Sequence, residues 1–403
     1  MTDKSVAYDV AVIGGGAAGI VAAISASRNG ASVIIIEKMP KLGKKILVSG
    51  AGRCNLSNDS MDDSFFNPEA KTLVRYVFSS FGGKEILHFF KELGLMVYSD
   101  NGKIYPVTNQ STSVMEVLEM ELHRLAVDIK FHSDVDGISA VDADFKIKIK
   151  SGGQVTARKV MVCGGGRSYP VSGSDGGMYP LLKHFGHSII EPVPSTVPII
   201  VKDNWFHDIV GQRVRAKVAN IIEGVAGQRS EGDLIFTKYG LSGTAILDVS
   251  EEISIEMNRF HKKNISVVID LVPFMSEEEL RAEISRRIKK NIEPSKLLAG
   301  ILPYKFANPL SDILKTKDPL GVVKNVKKKK FTVSGTRGWD EAEFTAGGID
   351  TEEVNIHTLE SKCHPGLFLA GEVLNVQGKR GGYNLAWAWA SGFVAGSAAG
   401  LRS

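Results

Sequence analysis

Residues 8–38 read YDVAVIGGGAAGIVAAISASRNGASVIIIEK, and this stretch decides the fold of the first part of the chain. A short apolar strand, a glycine turn, a helix rich in small residues and a second apolar strand follow one another, which is the pattern of a βαβ unit. Gly14, Gly16 and Gly19 form a G-x-G-x-x-G fingerprint at the turn. Such glycines permit a tight turn, a close approach of a pyrophosphate and close helix–strand packing. The stretch therefore predicts a dinucleotide-binding domain.

The acidic residue Glu37 ends the second strand of this unit, 18 residues after Gly19. A carboxylate at this position accepts hydrogen bonds from an adenosine ribose, and its charge disfavours a 2′-phosphate. The helix that follows the glycine turn presents free N–H groups and its positive dipole end to the phosphates. The fingerprint alone does not distinguish FAD from NAD, so the choice depends on three other segments.

The first of these segments is KKILVSGAGRCNLSN, residues 44–58, which follows the second strand almost at once. Its glycines allow the backbone to approach a phosphate or a flavin ring, with Lys45 and Arg53 as countercharges. A simple turn explains the same glycines equally well. From these residues alone both interpretations stay open.

The second segment is MVCGGGRSYP, residues 161–170, in which glycines again follow an apolar strand. Tyr169 stands three positions after Gly166, where a second fingerprint would require a third glycine. We therefore interpret the segment as a loop that returns the chain beneath the first nucleotide. This argues against a separate NAD(P)H-binding domain.

The third segment lies near the C-terminus, where Gly371 and Glu372 close the apolar strand GLFLAG. A carboxylate there can accept hydrogen bonds from ribityl hydroxyls. Gly382, Tyr383 and Asn384 then open a helix whose N–H groups can face the negative charge that reduced flavin carries near N1. A nicotinamide dinucleotide would need neither feature, so the three segments favour noncovalently bound FAD.

Length and composition place the chain among ordinary globular proteins, with 403 residues of which 43% are hydrophobic. This length suggests about two domains. The apolar run before the first glycine is too short for a signal peptide. The small and apolar run at 386–401 contains glycines and is shorter than the ~20 residues that span a bilayer, so we expect no membrane segment.

The cysteines and the charges limit which other classes of function the protein can have. Cys54, Cys163 and Cys363 show neither CxxC spacing nor a matching histidine cluster, which predicts reduced thiols in a cytoplasm and no metal site. The net charge is +4, and its densest part is residues 324–330, KNVKKKK. We interpret this run as a solvated face, with a nucleic-acid contact as the less favoured alternative.

The pattern changes after Glu191, where prolines and alternating apolar segments predict a β-rich second domain. A helical part is also expected there. Ser276 and Glu279 have the spacing of a capping box, which predicts that a helix begins at this point.

Six segments together closely resemble the BaiN/YhiN-like FAD-dependent oxidoreductases, also described as NAD(P)/FAD-dependent or aminoacetone oxidase-type flavoproteins. The resemblance runs from about Tyr8 to Gly400. It implies an α/β fold: a Rossmann-like, two-dinucleotide-binding-type FAD domain at 1–191 and 337–403. An insert at 192–336 would combine a β-barrel with a small helical subdomain at about 276–318 and serve as a substrate or lid domain. The segments are VIGGGAAG, SGAGRCNLSN, CGGGRSYP, GDLIFTKYGLSG, FTAGGID and LAGEVLNVQGKRGGYNLAWAWASG.

The resemblance also implies a set of FAD contacts in this chain. Val135 would contact adenine through its backbone. The residue Cys163 departs from the family pattern, which usually has Ala-Thr-Gly-Gly at 163–166, so the side chain at this position is in doubt while the loop is not. The implied contacts are Gly14, Gly16, Ala18, Gly19, Glu37, Lys38, Lys45, Gly50, Gly52, Arg53, Cys54, Asn55, Val135, Gly164, Gly371, Glu372, Gly382, Tyr383 and Asn384.

These observations predict an FAD-dependent oxidoreductase that acts on a small organic substrate. A reductase or dehydrogenase of an unsaturated or keto compound is favoured, with NAD(P)H as a transient electron donor. Two alternatives stay open: an amine oxidase that uses O₂, and a nucleic-acid-associated flavoprotein that uses the basic insert. The histidines His207, His357 and His364 lie outside any recognisable acid–base pattern, so no catalytic residue is assigned.

Overall fold

The computed structural model describes residues 7–401, apart from the side chains of Ala7 and Asn204. The chain divides into two compact units, of which unit 1 combines Met1–Pro192 with Phe344–Ser403 and unit 2 is Val193–Glu343. The strands are β1 (Ala7–Ile13), β2 (Val33–Ile36), β3 (Ser57–Asn58), β4 (Val97–Asp100), β5 (Lys103–Pro106), β6 (Asp128–Lys130), β7 (Val135–Val141), β8 (Asp144–Ile149), β9 (Gln154–Val162), β10 (Ile189–Ser195), β11 (Ile199–Val201), β12 (Arg213–Ile222), β13 (Val225–Phe236), β14 (Gly240–Ser242), β15 (Ile265–Asp270), β16 (Lys329–Thr336), β17 (Phe344–Ile349) and β18 (Leu367–Leu369). The helices are α1 (Ala17–Arg28), α2 (Lys44–Val48), α3 (Lys71–Ser80), α4 (Gly83–Glu92), α5 (Ser111–Arg124), α6 (Met178–His184), α7 (Thr244–Ser254), α8 (Glu277–Lys289), α9 (Ser311–Lys315), α10 (Pro319–Lys327) and α11 (Tyr383–Gly400).

The main sheet of unit 1 has the strand order β6-β2-β1-β9-β8-β7, and β18 also pairs with β9. Strands β6, β2, β1, β9 and β18 are parallel to one another, whereas β7, β8 and β9 form an antiparallel meander. The apolar residues of β1 and β2 are buried, as expected for strands covered on both faces. The predicted Rossmann-like α/β domain is confirmed.

The first and last helices, α1 and α11, pack in direct backbone contact. A Cβ atom built at Gly392, Gly396 or Gly400 would lie 2.3–2.7 Å from a carbonyl oxygen of α1. The three facing residues are Ala18, Ala22 and Ala26, in the same order along the chain. The two helices therefore run parallel, and their positive dipole ends point the same way.

Unit 2 contains a closed barrel with the strand order β11-β14-β13-β12-β15-β16. Aromatic side chains fill part of its core, with Phe206, Phe236, Phe306 and Phe331 almost fully buried. Helices α8, α9 and α10 form the helical part of the unit, and the capping box at the start of α8 is present, with Glu279 N donating to Ser276 Oγ over 3.1 Å. The predicted barrel with a helical part is confirmed.

Candidate cofactor site

The parallel strands of unit 1 bring four predicted segments to one edge of the sheet. The glycine turn follows β1, Glu37 follows β2, Gly164 follows β9, and Gly371 with Glu372 follows β18. Because parallel strands end on the same side, these residues meet at the carboxyl edge, where open α/β sheets bind their ligands. The topology therefore assembles the candidate site from both ends of the chain.

The three fingerprint glycines have different structural roles. Gly14 has φ +100°, and a Cβ there would lie 2.6 Å from the carbonyl oxygen of Cys163, while a Cβ at Gly19 would lie 1.9 Å from the carbonyl oxygen of Gly14. Among the described residues a Cβ at Gly16 would meet nothing within 4 Å, and Gly16, as the N-cap of α1, has no side chain to cap the first turn. Gly14 and Gly19 thus allow close packing, whereas Gly16 leaves open space at a helix N-terminus suited to an anion.

The carboxylate of Glu37 is buried beside this turn. Its Oε2 accepts a hydrogen bond from Gly15 N at 2.6 Å, and its Oε1 accepts one from Met39 N at 2.7 Å. A carboxylate offers about four acceptor positions, so this one can still accept from a ribose hydroxyl. The carbonyl of Glu37 accepts from Ser133 N, which places the segment leading to Val135 beside it.

The loop at 49–55 has an unusual backbone. Gly50, Ala51, Gly52 and Cys54 all have φ between 57° and 83°. Non-glycine residues such as Ala51 and Cys54 adopt this conformation at an energetic cost, and such strain concentrates at functional sites. The loop therefore has a shape that its local sequence alone does not favour.

The 55–58 segment lies against the N-terminus of α11. Gly382 has φ +100°, and a Cβ there would lie 2.4 Å from the carbonyl oxygen of Ser57 and 2.9 Å from Asn55 Oδ1. Asn58 Nδ2 donates to the carbonyl of Gly381 over 2.9 Å. The Oδ1 atom of Asn55 is buried and has no hydrogen-bond partner in the part of the chain that the structure describes. An acceptor without a partner beside a helix N-terminus indicates a ligand contact.

The ion pair between Lys45 and Glu372 joins residues that are far apart in sequence. Lys45 Nζ lies 2.8 Å from Glu372 Oε2 and donates to Ser168 Oγ over 2.6 Å. Ser168 Oγ and Thr345 N both donate to Glu372 Oε1, over 2.9 and 2.8 Å. Lys45 thus neutralises Glu372, and one acceptor position of Oε2 remains for a ligand hydroxyl.

Sequence reasoning did not single out Ser168 and Thr345. Both lie in segments that carried the family resemblance, CGGGRSYP and FTAGGID. Thr345 Oγ1 accepts from the backbone N–H groups of Arg167 and Ser168, at 2.8 and 3.1 Å. These hydrogen bonds hold the two segments together. In the sequence, the only sign of this role was that each segment has a polar residue two positions from its glycines.

The turn at Gly371 connects Glu372 to the start of α1. Its φ is +81°, and a Cβ there would lie 2.8 Å from the Cβ of Ala18. Gly371 N donates to Ser391 Oγ over 3.0 Å, and its carbonyl accepts from Trp387 Nε1 over 3.1 Å. Helix α11 thereby fixes this turn beside the fingerprint.

The side chains of several residues that are predicted to contact FAD are engaged by other groups of the protein. Tyr383 stacks on Phe65 with ring centroids 4.4 Å apart, and the amide of Asn384 bonds the backbone N–H and carbonyl of Gly378 at 2.8 and 2.6 Å. Arg53 lies 4.2 Å over the ring of Tyr105, and Lys38 pairs with Asp175 at 2.8 Å. A Cβ at Gly164 would lie 2.4 Å from Met178 Cγ. Tyr383, Asn384 and Gly164 therefore offer a ligand mainly their backbone groups.

The cysteine thiols differ in exposure. Cys54 and Cys163 are buried, and burial raises the pKa of each thiol to about 12. Cys363 is exposed, although partial desolvation and then the Glu353 carboxylate raise the pKa of its thiol as well. Because the thiolate is the reactive form, Cys54 is unsuited to redox chemistry beside a flavin.

We expect iodoacetamide at pH 8 to alkylate Cys363 and to leave Cys54 and Cys163 unmodified in the native protein. A pKa of about 12 lowers the thiolate fraction by roughly 10³ relative to an ordinary cysteine, and burial excludes the reagent as well. Mass spectrometry of tryptic peptides measures the labelling, and urea-unfolded protein, in which all three cysteines should react, is the control. Rapid labelling of native Cys54 would contradict the buried placement.

A second polar cluster contains His187, Glu353 and Cys363, whose potential ligand atoms lie within 4.8 Å of one another. His187 Nδ1 lies 2.9 Å from Glu353 Oε2, and Nε2 lies 2.9 Å from Ser361 Oγ. Ser361 Oγ already accepts from the backbone N–H groups of Cys363 and His364. Its proton therefore goes to Nε2, and Nδ1 carries the proton donated to Glu353. In this arrangement both ring nitrogens of His187 have hydrogen-bond partners within the protein.

The donor set at the sheet edge fits FAD. The open space at Gly16 matches a pyrophosphate at the α1 N-terminus, and Glu37 matches the adenosine ribose. The unpartnered Asn55 Oδ1 lies beside the N-terminus of α11 and matches a polar flavin edge. Two parallel helices with positive ends on the same side suit a ligand with an anionic pyrophosphate at one place and a flavin that becomes anionic on reduction at another.

Comparison with known proteins shows the family to which the chain belongs. The sequence model of the family described as "HI0933-like protein Rossmann domain" matches residues 8–398. The chain is 37% identical to the 3-dehydro-bile acid delta(4,6)-reductase of Clostridium scindens, over 98% of this chain and 99% of that protein. It is 28% identical to the ribosomal RNA dihydrouridine synthase of Haemophilus influenzae, over 95% and 96% of the two chains.

Among solved structures, the 3-ketosteroid-delta4-(5alpha)-dehydrogenase of Rhodococcus jostii aligns with a TM-score of 0.51 at 15% identity, over 100% of this chain and 99% of that one. This likeness supports the fold. Within residues 7–401, none of the helices has the length and apolar character required to cross a membrane. The chain belongs to the HI0933-like family and is an FAD-dependent oxidoreductase.

Proposed function

We propose that this protein reduces a carbon–carbon double bond conjugated to a ketone in a steroid-like carboxylic acid. One observation carries the proposal: the 37% identity to a 3-dehydro-bile acid delta(4,6)-reductase extends over both units of the chain. The reaction adds one hydride and one proton across the double bond. NAD(P)H is the source of the hydride equivalent and is oxidised to NAD(P)⁺, so the electrons balance.

When bound, FAD would supply the hydride transfer between the nicotinamide and the double bond, and the protein would bind and orient it. Unit 1 is the proposed FAD-binding domain, with the fingerprint turn at the pyrophosphate and Glu37 at the ribose. The N-terminus of α11 and the 50–55 loop would hold the flavin end, with Glu372 at the ribityl chain. Unit 2 is the proposed substrate domain. The FAD contacts that the family resemblance implies are part of this proposal.

The electron donor would bind transiently. The sequence contains one complete dinucleotide fingerprint, at Gly14, Gly16 and Gly19, and the proposal assigns it to FAD. NAD(P)H would then reach the flavin through the substrate cleft and compete with substrate. The free thiols and the nicotinamide donor suit the cytoplasm, which we propose as the location.

A second candidate is reduction of uridine in RNA, because the chain is also related along its whole length to ribosomal RNA dihydrouridine synthases. Dihydrouridine differs from uridine by two hydrogens across a double bond conjugated to a carbonyl, so the two reductions share their chemistry. The charges of unit 2 favour the small molecule, since several of its basic residues, including two of the five lysines at 324–330, already have acidic partners. These pairs are Arg286 and Arg287 with Glu283, Lys327 with Asp270, and Lys328 with Glu277.

The test is an anaerobic, product-resolved assay with the FAD-loaded protein. We expect NADH or NADPH to bleach the flavin, and a 3-oxo-4-ene steroid acid to reoxidise it with formation of the saturated ketone. An unmodified ribosomal RNA transcript is assayed in parallel for dihydrouridine. Product from RNA and none from the steroid would overturn the proposal in favour of the second candidate. Amine turnover with stoichiometric peroxide in air would overturn it in favour of an oxidase.

A further inference from the structure

Unit 2 contains a pocket of about 390 Å³ at one end of its barrel, here called the basic pocket. This volume lies within the range of small-molecule sites. Its lining combines an apolar floor with a basic rim and one acid. The lining residues are Ile200, Val201, Lys202, Asp203, Phe206, His207, Lys238 and Tyr239.

The rim is held in place by the turn between β13 and β14, which lies in the segment GDLIFTKYGLSG. Gly240 has φ +150°, and a Cβ there would lie 2.4 Å from the carbonyl oxygen of Ile199 and 2.7 Å from Val201 N. Val201 N donates to the carbonyl of Tyr239 over 3.1 Å. Glycine at this position therefore lets the turn press against β11, which brings Lys238 to the same pocket as Lys202.

The side chain of Tyr239 is fixed from two sides. Its hydroxyl donates to Glu341 Oε2 over 3.1 Å, and the guanidinium of Arg337 lies 4.5 Å from its ring centroid. A rigid aromatic wall and the buried Phe206 give the pocket an apolar surface of defined shape. This suits a ligand with a stiff hydrocarbon body.

The two lysines on the rim carry more positive charge than the pocket's one carboxylate balances. Lys202 and Lys238 are exposed and have no acidic partner within 4.0 Å in the part of the chain that the structure describes, in contrast to Lys327 and Lys328. Asp203 supplies the pocket's one carboxylate, and its Oδ1 is engaged by Trp205 N at 2.8 Å. Two ammonium groups against one engaged carboxylate leave a net positive rim, which an anion would stabilise.

We propose that the basic pocket binds the carboxylate end of an amphipathic acid, with Lys202 and Lys238 as its charged contacts. This inference rests on the proposed function, because it identifies the acidic group of the substrate as a determinant of specificity. An RNA phosphate would also find the lysines. The apolar floor favours an acid with a hydrocarbon body over a sugar–phosphate backbone.

The experiment compares a 3-oxo-4-ene steroid acid with its methyl ester in the FAD-loaded protein. In the Lys202→Ala/Lys238→Ala variant we expect the KM for the acid to rise about tenfold, as for the loss of two exposed ion pairs, while the ester changes less than about twofold. The kcat for both compounds should be preserved. Raising the ionic strength should increase the KM of the acid in the unmodified protein.

Two further variants complete the test. Lys202→Arg/Lys238→Arg should recover most of the affinity for the acid, and Lys330→Ala, which removes an exposed lysine of β16 outside the pocket, should change nothing. Equal effects of the alanine variant on acid and ester, or no effect on either, would overturn the inference. The inference would also be overturned if Lys202→Ala/Lys238→Ala lost affinity for ribosomal RNA while it bound the acid normally.

Equilibrium binding separates this inference from the proposed function. Titration calorimetry of the acid and of the ester measures the contribution of the lysines even if neither compound is reduced. A lysine-dependent preference for the acid without turnover would support the pocket and contradict the reductase. Reduction of acid and ester with equal KM in every variant would support the reductase and contradict the pocket.

Discussion

Replacing Gly16 by valine is expected to abolish tight FAD binding without lowering the melting temperature of the flavin-free protein. Gly16 has φ −84° and ψ −169°, an extended conformation that valine adopts readily, and a Cβ there meets no atom within 4 Å. The new side chain would instead fill the space where the pyrophosphate meets the α1 N-terminus. Losing two hydrogen bonds to a charged phosphate costs about 3–6 kcal/mol, so affinity should fall at least about a hundredfold.

Flavin fluorescence titration and differential scanning calorimetry of the flavin-free protein measure these two quantities. Gly338→Val is the matched control, because a Cβ at Gly338 also meets nothing within 4 Å and this residue lies in unit 2. The control should bind FAD normally. Normal flavin affinity in Gly16→Val would show that the pyrophosphate does not bind at this turn.

Replacing Gly396 by valine, unlike the Gly16 replacement, should strongly lower the stability of the flavin-free protein. A Cβ at Gly396 would lie 2.3 Å from the carbonyl oxygen of Ala22, which belongs to the backbone and cannot move aside. Overpacking at a buried contact costs roughly 1–3 kcal/mol, and the upper end is expected where backbone meets backbone. For a unit of this size, about 3 kcal/mol corresponds to roughly 6–12 °C in Tm.

The measurement is the Tm of the flavin-free Gly396→Val protein, again beside Gly338→Val. FAD binding should weaken too, because α11 holds Gly371 beside Ala18 and presents Gly382 to the site. A Tm within about 2 °C of the unmodified protein would refute the close contact between α1 and α11.

Much of the fold and the cofactor follow from local sequence. The periodicity of residues 8–38 predicts the βαβ unit, and its glycines occupy the positions that a strand–turn–helix needs for a pyrophosphate. The capping box at Ser276 and the alternating segments after Glu191 likewise predict the helix and the β-rich unit that the structure contains. These features depend on residues within one or two turns of each other, so their physical causes are visible along the chain.

The hydrogen-bond and ion-pair partners of the polar side chains could not be predicted from local sequence. Lys45 appeared as a countercharge for a ligand, yet it pairs with Glu372, 327 positions away. Asn384 remains a proposed flavin contact, and local sequence did not indicate that its amide bonds the backbone of Gly378. A charged or amide side chain satisfies its hydrogen bonds with whichever group the fold brings near, and that group need not be close in sequence.

The sequence by itself determined that this protein has a Rossmann-like, dinucleotide-binding domain, because glycine positions and strand–helix periodicity are local requirements of backbone geometry. Only the tertiary structure decided which charges remain available. It pairs Lys327 and Lys328 of the lysine run with neighbouring acids and leaves Lys202 and Lys238 together at a pocket. Charge is counted along a sequence, whereas its electrostatic effect depends on distance and burial in three dimensions.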